Sequence, residues 1–256
     1  MTIDFEKPQP LMVDGRPHFT LSSYAPVSIT LSVPALIDEF VESTIDSILA
    51  GLDAGREKLE DSDWVHETLQ CDSAEQFRQI VRGHLKELND QVRDENRKQL
   101  AVEELSLRLQ QSVPESYLER ARLFVQENLE RQLAYEGRTI GEFARDNGLS
   151  TMDLDAWLNN EARAAAEQQA ALGAYAREKK LTVDDSELGD LLGLPEEGME
   201  EYIELAKEDG TYDVTIDAAL AEKAARAVAD EAKCTYHYET EEEARRRFRN
   251  MKRENQ

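Results

Sequence analysis

The side chains able to do chemistry are few and scattered. His84 and Glu87 stand three residues apart, close enough to share one face of a helix, and His66 sits beside Glu67. Either pair has the donors to bind a metal ion or move a proton. Neither has a third ligand at a recognisable spacing, and four histidines among 54 carboxylates produce such neighbours by chance. No GxSxG, Walker A or GxGxxG string occurs, so hydrolase and nucleotide chemistry have no starting point. Cys71 and Cys234 fall in no CxxC or Cys/His pattern and indicate neither a disulfide framework nor a structural zinc site. The sequence therefore predicts no catalytic residue, no metal and no cofactor.

One run of like charge remains, Arg245-Arg246-Arg247-Phe248-Arg249 with Lys252 and Arg253. Such a cluster can grip RNA phosphates. The favoured reading is a helix end whose cations pair with Glu239, Glu241, Glu242 and Glu243, because 54 carboxylates against 30 Lys and Arg give the chain a formal charge of -24. That charge repels nucleic acid and anionic lipid, and it keeps a protein in solution even where apolar patches are exposed. No DNA or membrane partner is expected. The N-terminus lacks a basic start followed by an apolar core, and no stretch approaches about 18 consecutive apolar residues; the sequence reads as a cytoplasmic protein.

The elements that carry these residues are mostly helices. Strand signals concentrate in residues 8–34, where Leu11-Met12-Val13 and Phe19-Thr20-Leu21 flank the turn tetrad Asp14-Gly15-Arg16-Pro17, and Val27, Ile29, Leu31 and Val33 alternate with small polar residues. Residues 35–58 place Leu36, Phe40, Val41, Thr44, Ile45, Ile48 and Leu52 on one helical face. Residues 61–72 break the pattern. Ser73 with Gln76 opens a long helix as a capping box, with Phe77, Val81, Leu85, Leu88 and Val92 as its apolar stripe and residues 93–99 polar all round. Carried to about residue 110, it would be roughly 55 Å long, which predicts an elongated molecule.

Ser112 with Glu115 reads as a second capping box, followed by a stripe of Leu118, Ala121, Val125, Leu129 and Leu133 and a stop at Gly137. Thr139 with Glu142 caps a short helix ending at Gly148, and Ser150 caps an alanine-rich helix running to Lys180. Thr182 with Asp185 starts another. Pro195, Gly198 and Gly210 bracket a brief helix, Ile216 to Val228 is amphipathic, and Cys234, Tyr236 and Tyr238 alternate as a short strand.

Several of these landmarks come in a familiar order. Ser112-Val113-Pro114-Glu115-Ser116-Tyr117-Leu118, Arg131-Gln132-Leu133-Ala134-Tyr135-Glu136-Gly137, Leu172-Gly173-Ala174-Tyr175 and Leu181-Thr182-Val183-Asp184-Asp185-Ser186-Glu187-Leu188 resemble, in succession, the "VPESLV", "QLxxxGxT" and "xVTDEEL" segments of trigger factor, within its C-terminal chaperone (SurA-like peptide-binding) domain. Asp63-Trp64-Val65 through Ile80 resembles the start of that family's long linker helix, and Ala219-Leu220-Ala221-Glu222-Lys223 through Lys233 its last helix. The likeness spans roughly residues 27–240. It departs from the family at the N-terminal side: no "GFRxGxxP" ribosome-docking loop occurs, and Gly51 to Asp61 directly joins the segments between which the family carries its FKBP-type isomerase domain.

The resemblance implies a mainly α protein, an elongated multi-helix body with arm-like helical hairpins and a small N-terminal β arm. It implies three parts: residues 1–34 as β arm, 35–240 as helical chaperone domain and 241–256 as charged tail. The implied function is that of an ATP-independent holdase, a non-enzyme without prolyl isomerase, whose partners are unfolded or nascent polypeptides; self-association and ribosome contact stay open. The candidate client-binding residues are Tyr117, Phe124, Tyr135, Phe143, Met152, Trp157, Leu172 and Tyr175, of which only a subset is expected to be exposed, since most aromatics at helical spacing are core. The alternative is a scaffolding or assembly protein that holds one specific folded partner or its own copy.

Overall fold

Period-two alternation yields short strands here and the 3.6-residue period yields the rest, so the fold is mainly helical as expected. The computed structural model describes residues 7–13, 15–195 and 197–254. Two compact units interleave in sequence: one comprises residues up to Ser28 with Lys98–Lys233, the other Ile29–Arg97 with the residues from Cys234 onward.

In the first unit, β1 (Leu11–Val13) and β2 (Arg16–His18) pair antiparallel with Leu11 opposite His18 and Val13 opposite Arg16. The predicted turn tetrad is therefore shorter: Arg16 and Pro17 already belong to β2, and Asp14 lies outside the described residues. Gly15 has φ +75°, a conformation that glycine adopts without a Cβ penalty. Phe19 and Leu21 are buried, and the segment is tied down by Gln110 N–H donating to Thr20 O at 3.0 Å, Ser22 N–H to Arg108 O at 2.8 Å and Arg177 Nη2 to Phe19 O at 2.6 Å.

Helices α4 (Glu115–Tyr135), α5 (Ile140–Asp146), α6 (Thr151–Glu178), α7 (Leu188–Leu192), α8 (Met199–Glu208) and α9 (Tyr212–Glu231) follow. Helix α6 packs against both α4 and α9. Alanines are prominent among the buried residues: Ala162, Ala170, Ala171, Ala174 and Ala176 on α6, and Ala219, Ala224, Ala225 and Ala229 on α9. Leu188, Leu191, Ile203 and Ala219 form a smaller core closed by Val183, Leu192, Met199, Tyr212 and Ile216.

Two expected caps are placed differently. Ser112 does not cap α4; Pro114 occupies the N-cap position with no side-chain bond, while Ser112 N–H donates to Pro8 O at 3.0 Å and its hydroxyl accepts from Gln9 Nε2 at 2.9 Å. A partner about a hundred residues upstream outcompetes the local amide. At the start of the Asp185–Glu187 turn the box is Asp184 with Glu187, not Thr182 with Asp185; the Asp185 carboxylate is engaged instead by Tyr212 Oη at 2.5 Å and Lys207 Nζ at 3.2 Å.

In the second unit, α1 (Asp38–Gly51) buries Val41, Ile45 and Leu49 against Val65, Cys71, Phe77 and Val81. The region of 61–72 read as a break is helical: α2 (Ser62–Leu69) starts where Asp61 accepts from Trp64 N–H at 3.1 Å and ends on Gln70 at φ +53°. A helix of eight residues with Val65 as its buried residue has too little pattern to be seen in sequence. Helix α3 (Ala74–Ser106) opens with Gln76 N–H on Ser73 Oγ at 3.2 Å, but the Gln76 side chain accepts from Asp72 N–H rather than closing the box on Ser73. From Arg82 through Leu100 no α3 residue is buried, and the division between the units at Arg97 and Lys98 falls in that polar run.

Strand β3 (Ser28–Val33) pairs with β4 (Lys233–Tyr238). Helix α10 (Glu241–Glu254) packs Phe248 edge-on to Phe40 with centroids 6.1 Å apart. Its cations are partly neutralised as expected: Arg247 pairs with Glu239 at 3.0 Å and Arg245 with Glu241 at 3.2 Å, with Glu39 as a further partner at 2.8 Å.

Candidate functional site

Seen from its inner side, α4 follows its sequence pattern. Leu118, Ala121, Val125 and Leu129 are half-buried and Leu133 is buried, the stripe that faces α6. Arg122 fixes the register of the pair, with Nε donating to Asn159 Oδ1 at 2.9 Å and Nη2 to Asp155 at 2.7 Å. At the hairpin end, Gly137 turns the chain at φ +70°, Arg138 N–H donates to Leu133 O at 2.7 Å, and the Arg138 guanidinium reaches Asp146 at 2.7 Å. Phe143 and Trp157 close the space between α5 and α6 with ring centroids 5.6 Å apart.

The other side of α4 is uncovered. Phe124 is 63 % exposed and Tyr135 95 %, and Tyr117 is half-buried beneath Arg120, whose guanidinium carbon lies 4.4 Å from its ring centroid. Tyr117, Phe124 and Tyr135 are separated by seven and eleven residues. At about 100° per residue all three project within roughly 20° of one direction, along about 27 Å of helix. The other residues near that direction are Arg120, Asn128 and Arg131, with no carboxylate, in a chain where carboxylates outnumber cations by 54 to 30.

The eight candidate residues thus divide. Phe124, Tyr135 and Met152 (81 % exposed) are free surface, while Tyr117, Phe143 and Trp157 are half-buried. Leu172 and Tyr175 are 7 % and 2 % exposed among the alanines of α6 and belong to the core. Leu123, 59 % exposed beside Phe124, lies off both lines of α4 and was not singled out; its signal was an apolar residue on a flank otherwise polar.

Two carboxylates, half-buried Glu142 and exposed Asp153, cap the helices of the hairpin. Thr139 N–H donates to Glu142 at 2.8 Å while the Thr139 hydroxyl accepts from Glu142 N–H, and Ser150 and Asp153 make the same reciprocal pair. The backbone N–H of Thr139, then its hydroxyl, holds the Glu142 carboxyl below the usual range, and the Ser150 hydroxyl and then its N–H do so for Asp153. A depressed folded-state pKa contributes stability that is present above the unfolded-state value and lost as pH falls through the folded one. Amide exchange at Glu142 and Asp153 is therefore expected to accelerate as pH drops below about 4, after correction for intrinsic rates, and Glu142→Gln and Asp153→Asn should abolish that response. Equal pH dependence in the variants would contradict the assignment.

The histidine pairs do not converge with anything. His66, Glu67, His84 and Glu87 are exposed, and among the described residues no three His, Cys, Asp or Glu side chains are grouped to hold a metal ion. A cleft of about 610 Å³ in the second unit is lined by Val33, Pro34, Leu36 and the Gln79–Arg93 side of α3, where Arg82 is engaged by Asp38 and Arg93 by Asp90. Among the described residues no helix is long and apolar enough to cross a membrane.

A family model described as the C-terminus of bacterial trigger factor protein matches residues 73–230. No curated protein matches the chain. Among solved structures, a hypothetical Mycoplasma protein is similar over 91 % of this chain and 97 % of its own, at 15 % identity and a TM-score of 0.40.

Proposed function

Because the chain belongs to the bacterial trigger factor C-terminal family, we propose that it is an ATP-independent holdase that binds unfolded or nascent polypeptide on the α4–α5–α6 hairpin and releases it spontaneously. The matched domain is the chaperone part of that family, without isomerase activity, and its general role is binding polypeptide clients. The finer reading puts client contact within the helical body of residues 35–240 and the protein in the cytoplasm.

The observation that carries it is the uncovered line of rings on α4. Tyr117, Phe124 and Tyr135 offer apolar area that a client can cover, and Leu123 and Met152 are further exposed apolar side chains of the hairpin. Arg120, Asn128 and Arg131 offer donors to client carbonyls, which every sequence possesses. Exposed apolar area combined with sequence-independent polar groups suits a promiscuous binder. The charge of -24 keeps such a surface from associating with copies of itself.

The test is suppression of aggregation. A chemically denatured client diluted into buffer without nucleotide should scatter less light as the protein approaches stoichiometric amounts. No protection at stoichiometric excess sinks the reading, and recovery of one folded partner in fixed ratio would move it to a scaffolding role.

A further inference from the structure

Strand β4 is exposed at five of its six positions, including Tyr236 at 45 % and Tyr238 at 68 %, whose rings stack at 6.2 Å. Its sheet has two strands, β3 and β4. Lys233 N–H donates to Val27 O at 2.8 Å and Glu239 N–H to Val33 O at 3.0 Å, so the strands run parallel and the odd-numbered residues of β4 turn their main chain toward β3. In a strand, successive residues turn N–H and C=O to opposite sides. Tyr236 and Tyr238 therefore direct theirs to the outer edge, where no further strand is paired among the described residues. Natural sheets protect such edges with proline, inward charge or a bulge. The run Thr235-Tyr236-His237-Tyr238 has none of these and consists of residue types that favour strands.

We propose that the outer edge of β4 is a second polypeptide-binding site, at which an extended client segment adds as a third strand; this rests on the holdase reading and names how that client is held. The main chain of the client would exchange hydrogen bonds with Tyr236 and Tyr238, and its alternate side chains would pack on the two rings, so β-branched or aromatic residues at every second position are preferred. Backbone pairing is indifferent to sequence, which is what a binder of many clients requires. A second copy of this chain is disfavoured as the occupant because each carries a charge of -24.

The experiment uses the full chain and a neutral, end-blocked octapeptide of alternating valine and threonine, with its counterpart N-methylated at every residue. Saturation with the first peptide should slow amide exchange at Tyr236 and Tyr238 at least tenfold, and the methylated peptide, which cannot complete the edge, should leave those rates unchanged. Binding of the first peptide with no protection at these amides, equal protection by both peptides, or no binding of the first peptide overturns the site. Protection that grows with protein concentration in the absence of peptide overturns it in favour of self-pairing. Loss of the β4 site while aggregation suppression persists leaves the holdase reading intact, whereas loss of suppression removes that reading itself.

Discussion

Phe124→Ala with Tyr135→Ala is expected to weaken binding of an unfolded client by about a hundredfold while leaving the fold unchanged. Burying an aromatic side chain contributes at least about 1.5 kcal/mol, and two such losses, at about 1.4 kcal/mol per decade of Kd, give two decades. Both rings are largely in solvent in the free protein, so their removal takes little from the core, and alanine keeps the helix propensity of α4 high. Stability should shift by less than about 0.5 kcal/mol. Fluorescence anisotropy of a labelled, permanently unfolded client measures the first quantity and urea unfolding the second. A Kd within threefold of the parent would remove the ring line from the binding surface, and a large loss of stability would show that these residues are structural after all.

The opposite pattern is expected for Leu188→Ala. Leu188 is fully buried and meets Leu191, Ile203 and Ala219 in the small core that joins α7, α8 and α9. Truncating a buried leucine removes transfer energy and leaves a cavity, a cost of about 3 kcal/mol. The urea midpoint should fall accordingly, with Leu123→Ala, at an exposed site, as the control that barely moves it. Client affinity measured well below the transition should stay near the parent value, since Leu188 is outside the α4–α6 hairpin. A cost below about 1 kcal/mol would mean that Met199 and Tyr212, half-buried beside the gap, collapse into it.

Sequence periodicity reaches as far as local interactions do. The inner stripe of α4, the caps at Thr139 and Ser150 and the alternation of β3 and β4 were legible because each is decided within a few residues. The spacings of seven and eleven between Tyr117, Phe124 and Tyr135 are near whole numbers of helical turns, but pattern alone does not say that no element covers the line they form. Leu172 and Tyr175 show the converse: their spacing on α6 matches that of contact residues, yet both are buried among the alanines of that helix. Ser112 is lost to a partner at Pro8, and the two units divide within continuous helical sequence at Arg97 and Lys98. The polar stretch 93–99 marks the second of these in the sequence, whereas the partner of Ser112 lies beyond any local pattern.

The alanine-rich packing of α6 and α9 has a consequence for how this chain can change. At the buried alanines of these helices there is almost no side chain left to trim, so substitution there has only one direction, toward greater bulk. An added methylene has no void to occupy and must push its neighbours away, at about 1 to 3 kcal/mol. Leucine-lined contacts lose stability by shrinking, whereas these positions lose it by growth. At Ala170, Ala171, Ala174, Ala224, Ala225 and Ala229, all buried, added bulk is therefore the change that the helix packing of the first unit absorbs least.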